Sequence, residues 1–213
     1  MVTKCGIIHV CDQKPAHYTK AYDFTKAHIL QSAEDSLRNL QTDYLDVMLL
    51  HRPDLLMDPD EVAEAFELLY SSGKVRSFGV SNFTPSQIKL LQSKVPVGVH
   101  QLEISVKDVS AFDDGRLDQC TLDGIVPMAW SPLGGGNLPE GVASVLGSLA
   151  SEFGVTPQAI ALAWLLQHPA GILPVIGTTK AENLEAAQTA LNIKLDRQQW
   201  YTIYQAATGI RLP

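Results

Sequence analysis

The sequence predicts a parallel α/β fold, and within that class a closed (β/α) barrel rather than an open, doubly wound sheet. Short β-rich apolar runs alternate with longer amphipathic runs along the chain, the pattern of βαβ units. The glycine loop that an open sheet places after an early strand is missing. Gly134-Gly135-Gly136 comes late and lacks the GxGxxG spacing. Polar, chemically useful residues instead follow nearly every apolar run, as a barrel places them at the carboxyl ends of its strands.

Taken in order, Val2 to Val10 reads as a first strand. Leu30, Ala33, Leu37 and Leu40 then recur at helical spacing, with Glu34, Arg38 and Gln41 elsewhere on the wheel. Tyr44 to Leu50 is a compact apolar run, suited to a strand buried on both faces. Asp58 and Pro59 open a helix as N-cap and first position, Val62, Ala65, Phe66 and Leu69 form its apolar stripe, and Gly73 closes it. Val75 to Val80, Val97 to Leu102, Ile125 to Ala129 and Ile172 to Ile176 are further strands. Thr84-Pro85-x-Gln87 and Thr179-x-x-Glu182 read as capping boxes, Thr156-Pro157 opens another helix, and a last helix runs from about Arg197 to Ala207.

The chain has 213 residues, 46% of them hydrophobic, enough for one sizeable core and a single domain spanning residues 1–213. Sixteen basic against 23 acidic side chains leave a net charge of −7, and there is no basic run. This argues against nucleic acid and anionic membrane surfaces as partners. Cys5, Cys11 and Cys120 are too few and too scattered for a disulfide framework, which fits a reducing compartment, and no Cys/His quartet completes a metal site. No apolar run approaches the roughly 20 residues of a membrane span, and no secretory signal is present. The expectation is a soluble, cytoplasmic protein without a metal.

Each strand end admits a bland reading beside a functional one. Lys4 is either a snorkelling surface lysine or a site residue. His51 is either a hydrogen-bonded core histidine or a catalytic group. Ser81 and Asn82 either cap the next helix or hold a ligand amide, and Gln101, with Glu103 near it, needs a polar partner from the backbone or a ligand. Trp130 is core, or a flat surface for a heterocycle whose phosphate tail would lie on the turn that follows, Ser131 to Gly136. Gly177-Thr178-Thr179 either caps a helix or adds an anion site at its N-terminus.

Gly73-Lys-Val-Arg-Ser-Phe-Gly-Val-Ser-Asn-Phe83 resembles the internal signature of the aldo-keto reductase superfamily. Leu37-x-x-Leu40-x-x-Asp43-Tyr44-x-Asp46 with His51-Arg-Pro-Asp54 resembles its second signature, and Trp130-Ser-Pro-Leu-Gly-Gly-Gly136 and Pro174-Val-Ile-Gly-Thr178 its late cofactor loops. Order and spacing agree from Lys4 to the C-terminus, with most likeness to the bacterial YdhF-like oxidoreductases. The resemblance implies a TIM (β/α)8 barrel. It also implies an NADP-dependent reduction of small aldehydes or ketones to alcohols by hydride transfer from NADPH, or less often NADH. Lys4 and His51 match the lysine and histidine of the family's catalytic tetrad. Ser81, Asn82 and Gln101 match the residues that hold the nicotinamide carboxamide, and Trp130 the aromatic that stacks on that ring. Ser131, Leu133 and Gly135 match the pyrophosphate loop, and Thr178 a contact to the adenosine 2′-phosphate.

The sequence departs from the pattern in two places. The family's tetrad Asp and Tyr lie upstream of its lysine, and no position here matches either. Tyr18 and Tyr22 lie in or near the loop after the first strand, on the face expected to hold the site, and read either as surface loop tyrosines or as groups that approach it. Where the family often carries an arginine for the 2′-phosphate stands Asn183, leaving Lys180 to supply a point charge. The expectation is thus an incomplete barrel lacking the first two βα units, with open edges that favour self-association and an impaired family activity. The alternatives are a catalytically silent nicotinamide-binding module acting through a protein partner, and a non-functional fragment.

Overall fold

The computed structural model describes residues 1–12, 16 and 18–212. The chain divides into two compact units, Met1–Gln101 and Leu102–Pro213.

The first unit starts with β1 (Val2–Cys5). The expected run to Val10 stops early because Gly6 turns at φ +98°, where a Cβ would meet the Phe24 ring at 2.0 Å. Beyond that turn, β2 (Ile7–Ile8) pairs antiparallel with β3 (Ala21–Tyr22), a small ribbon that alternation alone did not predict. Helix α1 (Lys26–Leu40) is capped by Thr25, whose hydroxyl accepts from the His28 N–H. It buries Ile29, Ala33 and Leu37, a ridge of residues four apart, and leaves Leu40 46% exposed. The stripe expected through Leu30 and Leu40 is therefore rotated onto Ile29, since residues at i and i+4 stack into one row.

Strand β4 (Leu45–Leu50) buries Leu45, Met48, Leu49 and Leu50 completely, as a central parallel strand must. Helix α2 (Pro59–Ser71) begins at Asp58 and buries Val62, Ala65, Phe66 and Leu69, the stripe read from the sequence. Phe66 stacks on Phe78 of β5 (Val75–Ser81) with ring centroids 3.9 Å apart. Burying each such side chain contributes about 1.5–3 kcal/mol. Helix α3 (Pro85–Gln92) opens with the full Thr84–Gln87 capping box, and β6 (Val99–Glu103) leads the chain into the second unit. Strand β1 pairs in parallel with β4, β4 with β5, and β5 with β6. A Cβ on Gly79 would lie 2.3 Å from the Val99 carbonyl oxygen, so β5 and β6 approach closely only because position 79 has no side chain.

The second unit contains α4 (Arg116–Asp123), β7 (Val126–Trp130), α5 (Glu140–Phe153) and α6 (Pro157–Leu166), followed by β8 (Leu173–Pro174), α7 (Ala181–Gln188) and α8 (Arg197–Thr208). Strands β7 and β8 are parallel. Thr156 caps α6 as expected, and every residue from Ala159 to Leu165 is buried, so this helix is the centre of the core. Trp164 and Trp200 donate their indole N–H groups to each other's carbonyls at 3.1 and 3.0 Å, which satisfies two buried donors in an aromatic cluster. The Thr179–Glu182 capping box does not form. The N-cap of α7 is Lys180, with no side-chain cap, because Thr178 accepts the Lys180 N–H instead.

None of the three cysteines is in a disulfide. Cys5 and Cys120 are buried, and burial pushes each thiol up to about 12, with Asp23 adding to the effect at Cys5 and Asp123 at Cys120. Cys11 is half-buried. Among the described residues no single helix is long and apolar enough to cross a membrane. Helices α5 and α6 pass that test only as a pair bent by 94°, and both bury apolar residues in the core of their own unit. No group of three or more His, Cys, Asp or Glu that could hold a metal occurs among the described residues.

Candidate active site

The first unit gathers its chemical groups where its parallel strands end. Lys4 lies in β1 opposite Leu49 of β4. His51 follows β4 directly, and its backbone N–H donates to the Cys5 carbonyl at 3.0 Å, fixing the two strand ends side by side. Partial burial lowers the Lys4 ammonium from its ordinary value. His51 is pushed down to about 4, first by burial, then by the positive charges of Lys4 and Arg52. It is therefore a neutral imidazole near pH 7, with one ring N–H to donate and one nitrogen to accept.

Ser81 ends β5 opposite Gln101 of β6. Asn82 turns at φ +62°, a left-handed conformation that asparagine tolerates better than most residues. Its backbone N–H donates to the Gln101 carbonyl at 2.9 Å, and its side-chain amide donates to Ser81 Oγ at 2.7 Å. Ser81 is 1% and Gln101 3% exposed. Gln101 Oε1 is buried and has no hydrogen-bond partner among the described residues. A buried acceptor with no donor is destabilising on its own, and it fits a site built to receive an N–H from outside the chain. Of the two tyrosines near this region, Tyr18 is 88% exposed, and Tyr22 sits in β3 opposite Ile7.

The second unit holds a cleft of about 770 Å³, within the range of small-molecule sites. One wall is the turn after Trp130, the last residue of β7. Ser131 adopts φ +50°, and its carbonyl accepts the Gly134 N–H at 2.8 Å. Gly134, Gly135 and Gly136 all take positive φ, and the Gly136 N–H donates to the Leu133 carbonyl at 3.1 Å. Gly135 carries no side chain to block an approach along this turn, and nothing lies within 4 Å of where its Cβ would be. Val175 to Thr178, after β8, and Asn183 also line the cleft. Thr178 Oγ1 accepts from the Lys180 backbone N–H at 3.2 Å and from Asn183 Nδ2 at 2.9 Å. The cleft lining includes Ser131, Leu133, Gly135, Thr178 and Asn183 and, among the described residues, contains no charged side chain.

In the first unit Lys4, His51, Ser81, Asn82 and Gln101 thus occupy strand ends, and in the second unit most of the remaining candidates line one cleft. Two features lay outside the sequence reading. The N-terminal turn of α6, Thr156 to Gln158, also lines the cleft. Lys107 packs its stem against the glycine turn. Neither lies at a strand end, and residue type alone does not mark them.

The aldo/keto reductase family model matches residues 1–208. The chain belongs to that family. It is 45% identical to the uncharacterized oxidoreductase YcsN of Bacillus subtilis over 100% of this chain and 74% of that protein. It is 42% identical to a 6-dehydroglucose reductase of Agrobacterium fabrum over 98% of this chain and 72% of the relative. Among solved structures, an aldo/keto reductase from Klebsiella pneumoniae in complex with NADP and acetate superposes with a TM-score of 0.78 at 29% identity, covering 85% of this chain and 65% of that one. The chain therefore spans about three-quarters of the length of its curated relatives and about two-thirds of that solved chain. Its α/β architecture is that of the barrel reductases, and as an aldo/keto reductase it is an oxidoreductase.

Proposed function

We propose that this aldo/keto reductase binds a nicotinamide dinucleotide, NADPH in preference to NADH, and uses it to reduce the carbonyl of a small aldehyde or ketone. The observation that carries the reading is Gln101 Oε1, a buried acceptor without a donor, beside the Ser81–Asn82 turn. A primary carboxamide supplies an N–H for that acceptor and a carbonyl for a neighbouring hydroxyl or amide. The dinucleotide supplies the hydride when bound. In the second unit, the cleft lined by Ser131, Leu133, Gly135, Thr178 and Asn183 suits the uncharged adenosine portion, and the backbone N–H groups of the glycine turn and Lys180 at the N-cap of α7 suit phosphate oxygens.

The chain's own residues then do the polar work. Neutral His51 donates its ring N–H to a carbonyl oxygen and holds it in place. Lys4, on the adjoining strand, contributes positive charge where oxygen gains negative charge. The reading that this module binds the dinucleotide and acts only through a partner makes a different forecast.

The test measures NADPH binding by fluorescence and NADPH oxidation with 4-nitrobenzaldehyde. Binding together with turnover that disappears in Lys4→Met and His51→Ala supports the reductase. Binding without turnover favours the silent module. Absence of binding sinks both.

A further inference from the structure

Lys107 stands in the turn that follows β6, in the same unit as the cleft. The turn is tightly held. Ser105 is fully buried, and its Oγ accepts the backbone N–H groups of Lys107 at 3.0 Å and Asp108 at 3.1 Å. The Ser105 N–H in turn donates to the Asp108 carbonyl at 2.9 Å. Lys107 therefore leaves the backbone in one direction. Its stem runs along the glycine turn: a Cβ on Gly134 would lie 3.0 Å from Lys107 Cβ and 3.5 Å from its Cδ. The ammonium sits two bonds beyond that Cδ. The residue is exposed, and among the described residues it belongs to none of the ion pairs.

The cleft beside this turn poses an electrostatic problem. A dinucleotide brings a diphosphate with two negative charges, and among the described residues the lining has no cation to meet them. Backbone N–H groups of a glycine turn hold phosphate oxygens but carry only partial charge. An anion removed from water without a compensating charge is strongly disfavoured. Lys180, at the N-cap of α7, stands next to Thr178, away from Lys107 in sequence and on the segment after β8. That leaves the glycine side to Lys107, a flexible point charge of the kind that suits phosphate.

We propose that Lys107 is the cation that neutralises the diphosphate of the bound dinucleotide, reaching it across Gly134. The inference rests on the dinucleotide reading above.

The experiment titrates the wild-type chain, Lys107→Met and Lys107→Arg with NADPH, NADH and ADP-ribose, by calorimetry and by thermal shift. All three ligands share the diphosphate, and only NADPH has the 2′-phosphate. Lys107→Met should weaken all three by about tenfold in the same proportion, with the ligand-free melting temperature unchanged. Lys107→Arg should bind within about twofold of wild type, since it keeps the charge. Equal binding by wild type and Lys107→Met overturns the assignment, and so does a loss confined to NADPH, which would place Lys107 at the 2′-phosphate. A wild-type chain that binds none of the three overturns the dinucleotide reading itself and the Lys107 assignment with it.

Discussion

Gln101→Met separates binding from stability in a single substitution. Gln101 is 3% exposed, and its Oε1 has no hydrogen-bond partner. A buried acceptor left without a donor costs about 1–3 kcal/mol, whereas an apolar group of similar shape removes that penalty. Methionine has nearly the length and volume of glutamine and adapts to irregular cavities. Taking the low end, the ligand-free variant should be more stable by about 1 kcal/mol. For a chain of this size that is a rise of about 3 °C in melting temperature. The same change removes the acceptor proposed for the carboxamide, a loss of about 1.4 kcal/mol, or tenfold in NADPH affinity. Differential scanning fluorimetry without ligand and a fluorescence titration with NADPH measure the two effects. A variant that melts lower and binds NADPH as tightly as wild type would show that the glutamine supports the fold rather than the ligand.

Three further outcomes are expected. His51 should remain neutral in an NMR titration until the pH approaches 4, and Lys4→Met should move that midpoint upward, because the Lys4 charge helps to hold it down. The unfolded histidine takes its proton first, near 6.5, so the contribution of His51 to stability is complete above that pH and is lost as the pH falls through about 4. Its half-exposed position keeps the effect small. Asn183→Arg should tighten NADPH by about tenfold and leave NADH unchanged in parallel titrations, since a guanidinium pairs with a phosphate in two places at once. Gly79→Ala should destabilise the chain by about 3 kcal/mol in urea melts, because its methyl group would press on the Val99 carbonyl oxygen from 2.3 Å.

Strand order and most strand ends were legible because a buried parallel strand reads as a near-continuous apolar run, as β4 does in all but Asp46. The α2 stripe and the caps at Asp58, Thr84 and Thr156 were legible because each signal acts within four residues. What escaped depends on contacts between residues distant in sequence or on a competing local hydrogen bond. The break at Gly6 is forced by Phe24, and the Thr179–Glu182 box gives way to a hydroxyl already engaged by Lys180 and Asn183. At the site, Ser81, Asn82 and Gln101 were legible as residue types, but the unmet acceptor on Gln101 was not. Lys107 was invisible because its relevance comes from a stem lying against Gly134, across 27 positions of sequence.

The protonated thiol of Cys5 has a practical use. Its side chain is buried and its pKa is held near 12, so at neutral pH the residue is closed to alkylating reagents while β1 stays paired with β4. Cys120 is shielded in the same way in the other unit, and Cys11 is half-buried. Alkylation at position 5, followed by mass spectrometry of the labelled peptide, therefore counts the moments when β1 separates. The chain carries its own clock for local opening of the strand that holds Lys4, readable with no label added to the protein.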